Sequence, residues 1–189
     1  TVGGWDNWGE LRRFNYLLEN IHEVPASIEE INHYIGLARL KRALWYYNMV
    51  KRYNDVPWYS KSLTENDQEL LYKARDPRTL VVDSILSDLN FSVQWISKDM
   101  KNKTVFNKWY AYAMKARICL HEATFRKYHD EQNLQESADF YFHEAISACE
   151  EIINSTLFDI DKTGGPEKAY GNLFKNYNLT ASPEILLFL

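Results

Sequence analysis

The sequence predicts an all-α segment, a right-handed array of helical hairpins of tetratricopeptide type, followed by a short extended C-terminal stretch. Three observations predict it. Apolar residues recur at spacings of three and four over five long stretches, the pattern of helices with a buried face. Only 7 glycines and 5 prolines occur in 189 residues, too few for the turns of a many-stranded β fold. The second and fourth helical stretches also echo one another. Ala38-x-x-x-Arg42 and Lys51-Arg52-Tyr53-x-Asp55 recur as Ala113-x-x-x-Arg117 and Arg126-Lys127-Tyr128-x-Asp130, at an offset of 75. Two hairpins separated by one long step describe a stacked helical repeat.

The first helix is expected over residues 5–22, where Leu11, Phe14, Leu17, Leu18 and Ile21 form the apolar stripe. Ser27 caps the second, and Glu30 three residues on completes a capping-box pattern. This helix runs to Tyr53 and is apolar on two sides, so it is buried between neighbours on both. Residues 54–76 read as a loop with one helical turn around Asp67–Tyr72. Asp76-Pro77 opens the third helix, with Asp as cap and Pro at the first helical position. Val82, Ile85, Leu86, Leu89, Val93 and Ile96 give it a stripe. The fourth helix covers residues 105–128, where alanines alternate with Trp109, Tyr112 and Leu120, and the fifth covers 134–154. Beyond it, residues 157–160 read as extended, Gly164-Gly165-Pro166 breaks the chain, residues 170–174 form a turn, and 184–189 are strand-like.

Composition excludes several classes of function. The 22 basic and 26 acidic residues are interspersed and give a net charge of −4, with no basic field for nucleic acid and no polybasic membrane patch. No apolar run approaches the ~18–20 residues of a membrane span. Cys119 and Cys149 lie in helical patterns and read as two buried free thiols; a disulfide would require their helices to meet. His121-Glu122 opens like a zinc-binding H-E-x-x-H motif, but position 125 is Phe. Asp83 and Asp88 read as a solvated face of the third helix, not as a catalytic pair. No nucleophile, phosphate-loop or dinucleotide motif occurs, so no enzyme and no cofactor is expected. Arg42 and Arg117, inside apolar faces, are expected to pair with carboxylates between helices.

One stretch asks for explanation. After the second helix the chain reads KRYNDVPWYSK, which sets Trp58 and Tyr59 in a loop. Aromatics make up 15% of the chain, and Trp and Tyr serve both cores and contact surfaces.

Taken in order, WGELRRFNYLLENI, ARLKRALWYYNMVKRYNDVPWYSKSL, RDPRTLVVDSILSDLNFSV, NKWYAYAMKARICLHEATFRKYHD and SPEILLF resemble the SusD/RagB family of outer-membrane glycan-capture lipoproteins of the Bacteroidetes. The resemblance covers the helical portion of that fold. It implies that residues 1–155 are the SusD-like helical region and that 156–189 lead into a larger, loop-rich α+β fold carrying much of the ligand site. The apolar end EILLFL calls for a partner element, so the sequence is read as a fragment of something longer. The family further implies a lipid-anchored protein at the cell surface, attached to the membrane only through an N-terminal anchor. It binds an oligosaccharide without cleaving it and passes it to a SusC-like TonB-dependent transporter.

On this resemblance, Trp5, Asp6, Asn7 and Trp8 are the expected ligand contacts, because they precede the first helix, follow Gly3-Gly4 and combine ring faces with groups suited to hydroxyls. Trp58 and Tyr59 are either further stacking surfaces or plugs that seal the helix ends. The alternatives are a peptide-binding member of the same family and a tetratricopeptide-like scaffold that holds a peptide or helix in its groove.

Overall fold

The computed structural model of the chain describes residues 8–99, 102–175 and 179–187. These form helices and connecting loops; the described residues hold no strand, only an isolated antiparallel bridge between Val56 and Asp76. The chain divides into two compact units at Ile96–Ser97.

In the first unit, α1 covers Trp8–Asn20 and continues into a 3₁₀ turn, Ile21–Glu23. The expected capping box opens α2, Ile28–Tyr53: Ser27 Oγ accepts the Glu30 N–H (3.2 Å) and the Glu30 carboxylate accepts the Ser27 N–H (3.0 Å). Such a cap satisfies donors that a helix start otherwise leaves unpaired. The single turn α3, Gln68–Leu71, lies where one was expected. The next helix, α4, spans Arg78–Trp95.

The start of α4 departs from expectation. Pro77 stands at the cap position, and Asp76 turns away to accept the Trp58 N–H (2.6 Å). The capping carboxylate comes from Asp55, which accepts the Arg78 N–H (2.9 Å). Asp55, two residues past the end of α2, therefore caps α4, and the two helices are tied at one end. At the other end Ser92 Oγ lies 2.9 Å from the Gly36 carbonyl. A Cβ on Gly36 would sit 3.0 Å from the Ile96 side chain, so glycine permits the close approach there. With Gly36 beside Ser92 and the C-terminal end of α2 beside Arg78, α2 and α4 are antiparallel. Leu40, Ala43, Tyr46, Met49 and Val50 on α2 and Val81, Ile85 and Leu89 on α4 are buried, while α1 covers a second face of α2 through Leu11. Each large apolar side chain so buried contributes about 1.5–3 kcal/mol.

The second unit is built on α5, Lys108–Tyr128, and α6, Ala138–Asn154. Asn107 caps α5, accepting the Tyr110 N–H (3.0 Å), and its own amide donates to the Leu186 carbonyl (2.9 Å). Lys115 pairs with Glu144 (2.7 Å) and Arg126 donates to Ser137 Oγ (2.8 Å), so these helices also run antiparallel. Ala111, Ala116 and Ala123 on α5 and Ala138, Ala145 and Ala148 on α6 are all buried, the small residues of two closely packed axes. After α6 the chain is irregular as far as α7, Ala169–Lys175, a helix where only a turn was expected. The described part of the strand-like terminus is irregular, held by Lys103 Nζ on the Ser182 carbonyl (2.7 Å) and by Glu184 on the Asp161 N–H (2.7 Å).

The repeat is present, in a different register. Ala38, Arg42, Ala43, Trp45, Tyr46, Met49 and Val50 are buried on α2, and so are Ala111, Lys115, Ala116, Ile118, Cys119, Glu122 and Ala123 on α5. Each pair is 73 residues apart, not 75. A two-residue difference turns a helical position by about 200°. Arg117, the expected counterpart of Arg42, is accordingly exposed, and Lys115 takes the buried place. The cysteines differ likewise. Both are free; Cys119 is buried, which pushes its thiol up to about 12, but Cys149 is exposed.

Candidate ligand-binding site

The loop after α2 is built from the inside out. Asn54 turns the chain with a positive φ of 61°, Asp55 caps α4, and Val56 and Pro57 are buried. Tyr46, fully buried on α2, reaches this loop with its hydroxyl. It donates to the Pro57 carbonyl (3.3 Å) and accepts the Tyr59 N–H (2.7 Å). Burial raises its pKa, so it stays a neutral phenol. The Trp58 ring lies on Tyr46 with centroids 4.2 Å apart and faces the Arg42 guanidinium at 5.2 Å. Tyr59 donates its hydroxyl to the Leu70 carbonyl (2.9 Å).

A buried polar chain holds the same loop from the other side. Arg42 donates through Nε and Nη2 to the two carboxylate oxygens of Asp88 (2.7 and 2.8 Å). Its Nη1 donates to Asn15 Oδ1 (2.9 Å). The Asn15 amide then donates to the carbonyls of Tyr59 and Lys61 (2.9 Å each). Burial raises the Asp88 pKa, and the two Arg42 bonds oppose that rise. Arg42 thus meets the expected carboxylate, but its partner is Asp88, the residue read as a solvated acid, while Asp83 stays exposed.

These contacts shape a cleft of about 970 Å³ between α1 and residues 57–75, with Trp8, Arg12, Asn15 and Tyr59 in its wall. That volume lies in the range of small-ligand sites. Trp8, the first residue of α1, meets Trp45 edge to face (4.9 Å) and Tyr59 likewise (5.6 Å). Of the residues singled out from sequence, the structure brings Trp8 and Tyr59 together at the cleft. Trp58 packs behind it on Tyr46 and does not line it. Trp5, Asp6 and Asn7 lie outside the described residues. Asn15 was missed, although the signal was present: it sits at i+4 from Leu11 on the apolar stripe of α1, where a polar residue needs buried partners. No group of three or more His, Cys, Asp or Glu suited to a metal occurs among the described residues. No described helix is long and apolar enough to cross a membrane.

An all-α hairpin array with an aromatic-walled cleft is a scaffold that presents a binding surface. Comparison with known proteins gives the family. The chain belongs to the SusD-like family, whose sequence profile, described as "Starch-binding associating with outer membrane", matches residues 8–120. A relative, SusD-like protein P2 of Formosa agariphila, is 22% identical over 151 residues, covering 80% of this chain and 29% of its own length. The chain therefore spans less than a third of that relative. A crystal structure of a SusD-like protein from Bacteroides fragilis superposes with a TM-score of 0.75 at 22% identity, over 95% of this chain and 31% of that one. A laminarin-binding SusD-like protein gives a TM-score of 0.61 at 17% identity, over 84% and 30%. The fold is thus that of the helical region of SusD-like proteins.

Proposed function

We propose that this chain is the helical body of a non-catalytic glycan-binding protein of the outer membrane. It captures an oligosaccharide at the cell surface and delivers it to a SusC-like TonB-dependent transporter, with a lipid anchor as its attachment to the membrane. The observation that carries this reading is the meeting of Trp8 and Tyr59 in the wall of one cleft, in a chain whose family is described as starch-binding. Sugar rings present flat CH faces, and aromatic side chains fixed by hydrogen bonds stack on them at little entropic cost. Tyr59 is held in this way by Tyr46, Leu70 and Asn15, and Trp8 is held by its edge-to-face contact with Trp45. Trp5, Asp6 and Asn7, which precede Trp8 in sequence, are kept as proposed ligand contacts, with Trp58 as the ring behind the cleft.

The test is affinity electrophoresis of the full-length protein against a panel of polysaccharides, with Trp8→Ala and Tyr59→Ala beside it. Retardation by at least one glycan, weakened about tenfold or more in each variant, is expected. Retardation that both variants retain would move the ligand contacts out of this cleft. Retardation by none would overturn glycan capture.

A further inference from the structure

The wall of the cleft carries a charge opposite to that of the chain. Overall the sequence has 26 acidic and 22 basic residues. Yet the residues lining the cleft include Arg12, Lys61, Lys73 and Arg75 and no aspartate or glutamate. The carboxylates that pair with the two lysines stand outside the lining. Asp67 holds Lys61, and Asp76 holds Lys73 at 2.5 Å.

The placement of rings and cations is regular. Trp8, Leu11, Arg12 and Asn15 are spaced i, i+3, i+4 and i+7, so one face of α1 lines the cleft. On this face Arg12 follows Trp8 by one helical turn. In the facing wall the Lys73 ammonium stands 5.0 Å from the centre of the Tyr59 ring. Tyr59 therefore has a cation over its ring, and Trp8 has one a helical turn further along α1.

Donor and acceptor character decides what such a cleft takes. A neutral sugar presents hydroxyls that both donate and accept, and it needs side-chain acceptors as well as donors. Arginine and lysine only donate. Asn15 already uses its amide on Tyr59, Lys61 and Arg42, and the Tyr59 hydroxyl donates to Leu70. Lys61 and Lys73 already donate to Asp67 and Asp76, so the donors that the wall offers in excess of acceptors are chiefly those of the exposed guanidinium groups. A carboxylate or sulfate on a sugar accepts only, and it binds guanidinium groups through charge-assisted, often paired, hydrogen bonds.

Resting on the glycan-capture reading above, we infer that the cleft selects an anionic oligosaccharide, one bearing a uronate carboxylate or a sulfate ester beside a ring face that stacks on Trp8 or Tyr59.

The test uses the full-length protein and two matched pairs of probes: polygalacturonate against its methyl ester, and dextran sulfate against dextran. Binding is measured by affinity electrophoresis and by calorimetry with the corresponding oligomers. The variants are Trp8→Ala, Arg12→Gln with Arg75→Gln, and, as a charge-matched control far from the cleft in sequence, Lys127→Gln with Lys162→Gln. All four of these cations are exposed. The expected result is tighter binding of the charged member of one pair, which identifies the anion as carboxylate or sulfate. That binding falls about tenfold in the double arginine variant, weakens with added salt, and is unchanged in the lysine control. Equal binding of charged and neutral members overturns the inference and leaves glycan capture standing. An equal loss in the lysine control also overturns it, because the attraction is then general. Binding of no probe, alongside no retardation by the wider panel, overturns both readings together.

Discussion

In the hairpin of α2 and α4 the buried cation is answered from across the helix pair: Arg42 on α2 binds both oxygens of Asp88 on α4, and its third bond reaches Asn15 on α1. In the hairpin of α5 and α6 the matching position is Lys115, which meets Glu144 at the edge, where the acid is 26% exposed. The deeply buried cation of that hairpin is Arg126. It is answered from its own helix by Glu122 four residues earlier (2.7 Å), with the Tyr141 ring under its guanidinium at 4.3 Å. The first hairpin thus has a polar centre that connects three helices and a loop. The second is held by interleaved alanines, and its buried ion pair lies within α5, with Arg126 reaching α6 through Ser137 and the Tyr141 ring. A buried ion pair contributes little net stability against an apolar replacement, but breaking it leaves an uncompensated charge. The Arg42 network is therefore better understood as fixing position. It holds the backbone at Tyr59 and Lys61, which form the wall of the cleft.

The largest effect that tests this contrast is Asp88→Ala. It strands Arg42 among apolar side chains and should cost about 3–5 kcal/mol in urea unfolding. Glu144→Ala removes a partly exposed acid from the buried Lys115, whose flexible stem can carry the ammonium to the nearby surface, and should cost about 1 kcal/mol. Equal losses would erase the distinction between the hairpins.

Next in size is Asn15→Ala, at about 1–3 kcal/mol, because two carbonyls and one guanidinium nitrogen lose their partner together. Hydrogen exchange should show its effect concentrated in residues 57–63, with α5 and α6 unchanged. Uniform loosening of both hairpins would contradict a local positioning role.

Asp55→Ala removes the carboxylate that caps α4 from the end of α2 and should cost about 1 kcal/mol. Asp76→Ala removes the residue that the sequence alone nominates as the cap. It should leave the exchange of the Arg78 amide unchanged, and faster exchange there would restore Asp76 as the cap.

The smallest effect is one of pH. The hydrogen bonds from Lys61 and from Thr64 lower the Asp67 carboxyl from 3.8 to about 2. A lowered folded-state pKa adds stability above the unfolded value and loses it as pH falls through the folded one. The turn at residues 64–67 should therefore loosen between about pH 4 and pH 2, read from the Thr64 amide resonance. In Asp67→Asn that transition should vanish.

Features set by near neighbours in the chain were legible in the sequence. Ser27 and Glu30 are three residues apart, so their capping box formed where the pattern placed it. The helical stretches were found because a 3.6-residue period is a local property, and the kinship of α2 and α5 was found because both are long and similarly composed. The register of that kinship was not legible. Identity matching chose an offset of 75, whereas burial, which depends on the facing helix, chose 73. For the same reason nothing local distinguished Asp83 from Asp88, or Cys149 from Cys119. In each pair one residue faces a packed helix and the other faces solvent.

By itself, then, the sequence determined the helices, the capping box of α2, the hairpin plan and the aromatic loop, because periodicity, capping and turn chemistry act over a few residues. The tertiary structure alone decided which acid answers Arg42, which residue caps α4, and which of Trp58 and Tyr59 faces the cleft. Those choices depend on groups 23 to 46 residues away in the chain. Burial makes their pairing obligatory, since an unpartnered polar group out of reach of water costs more than any local preference returns.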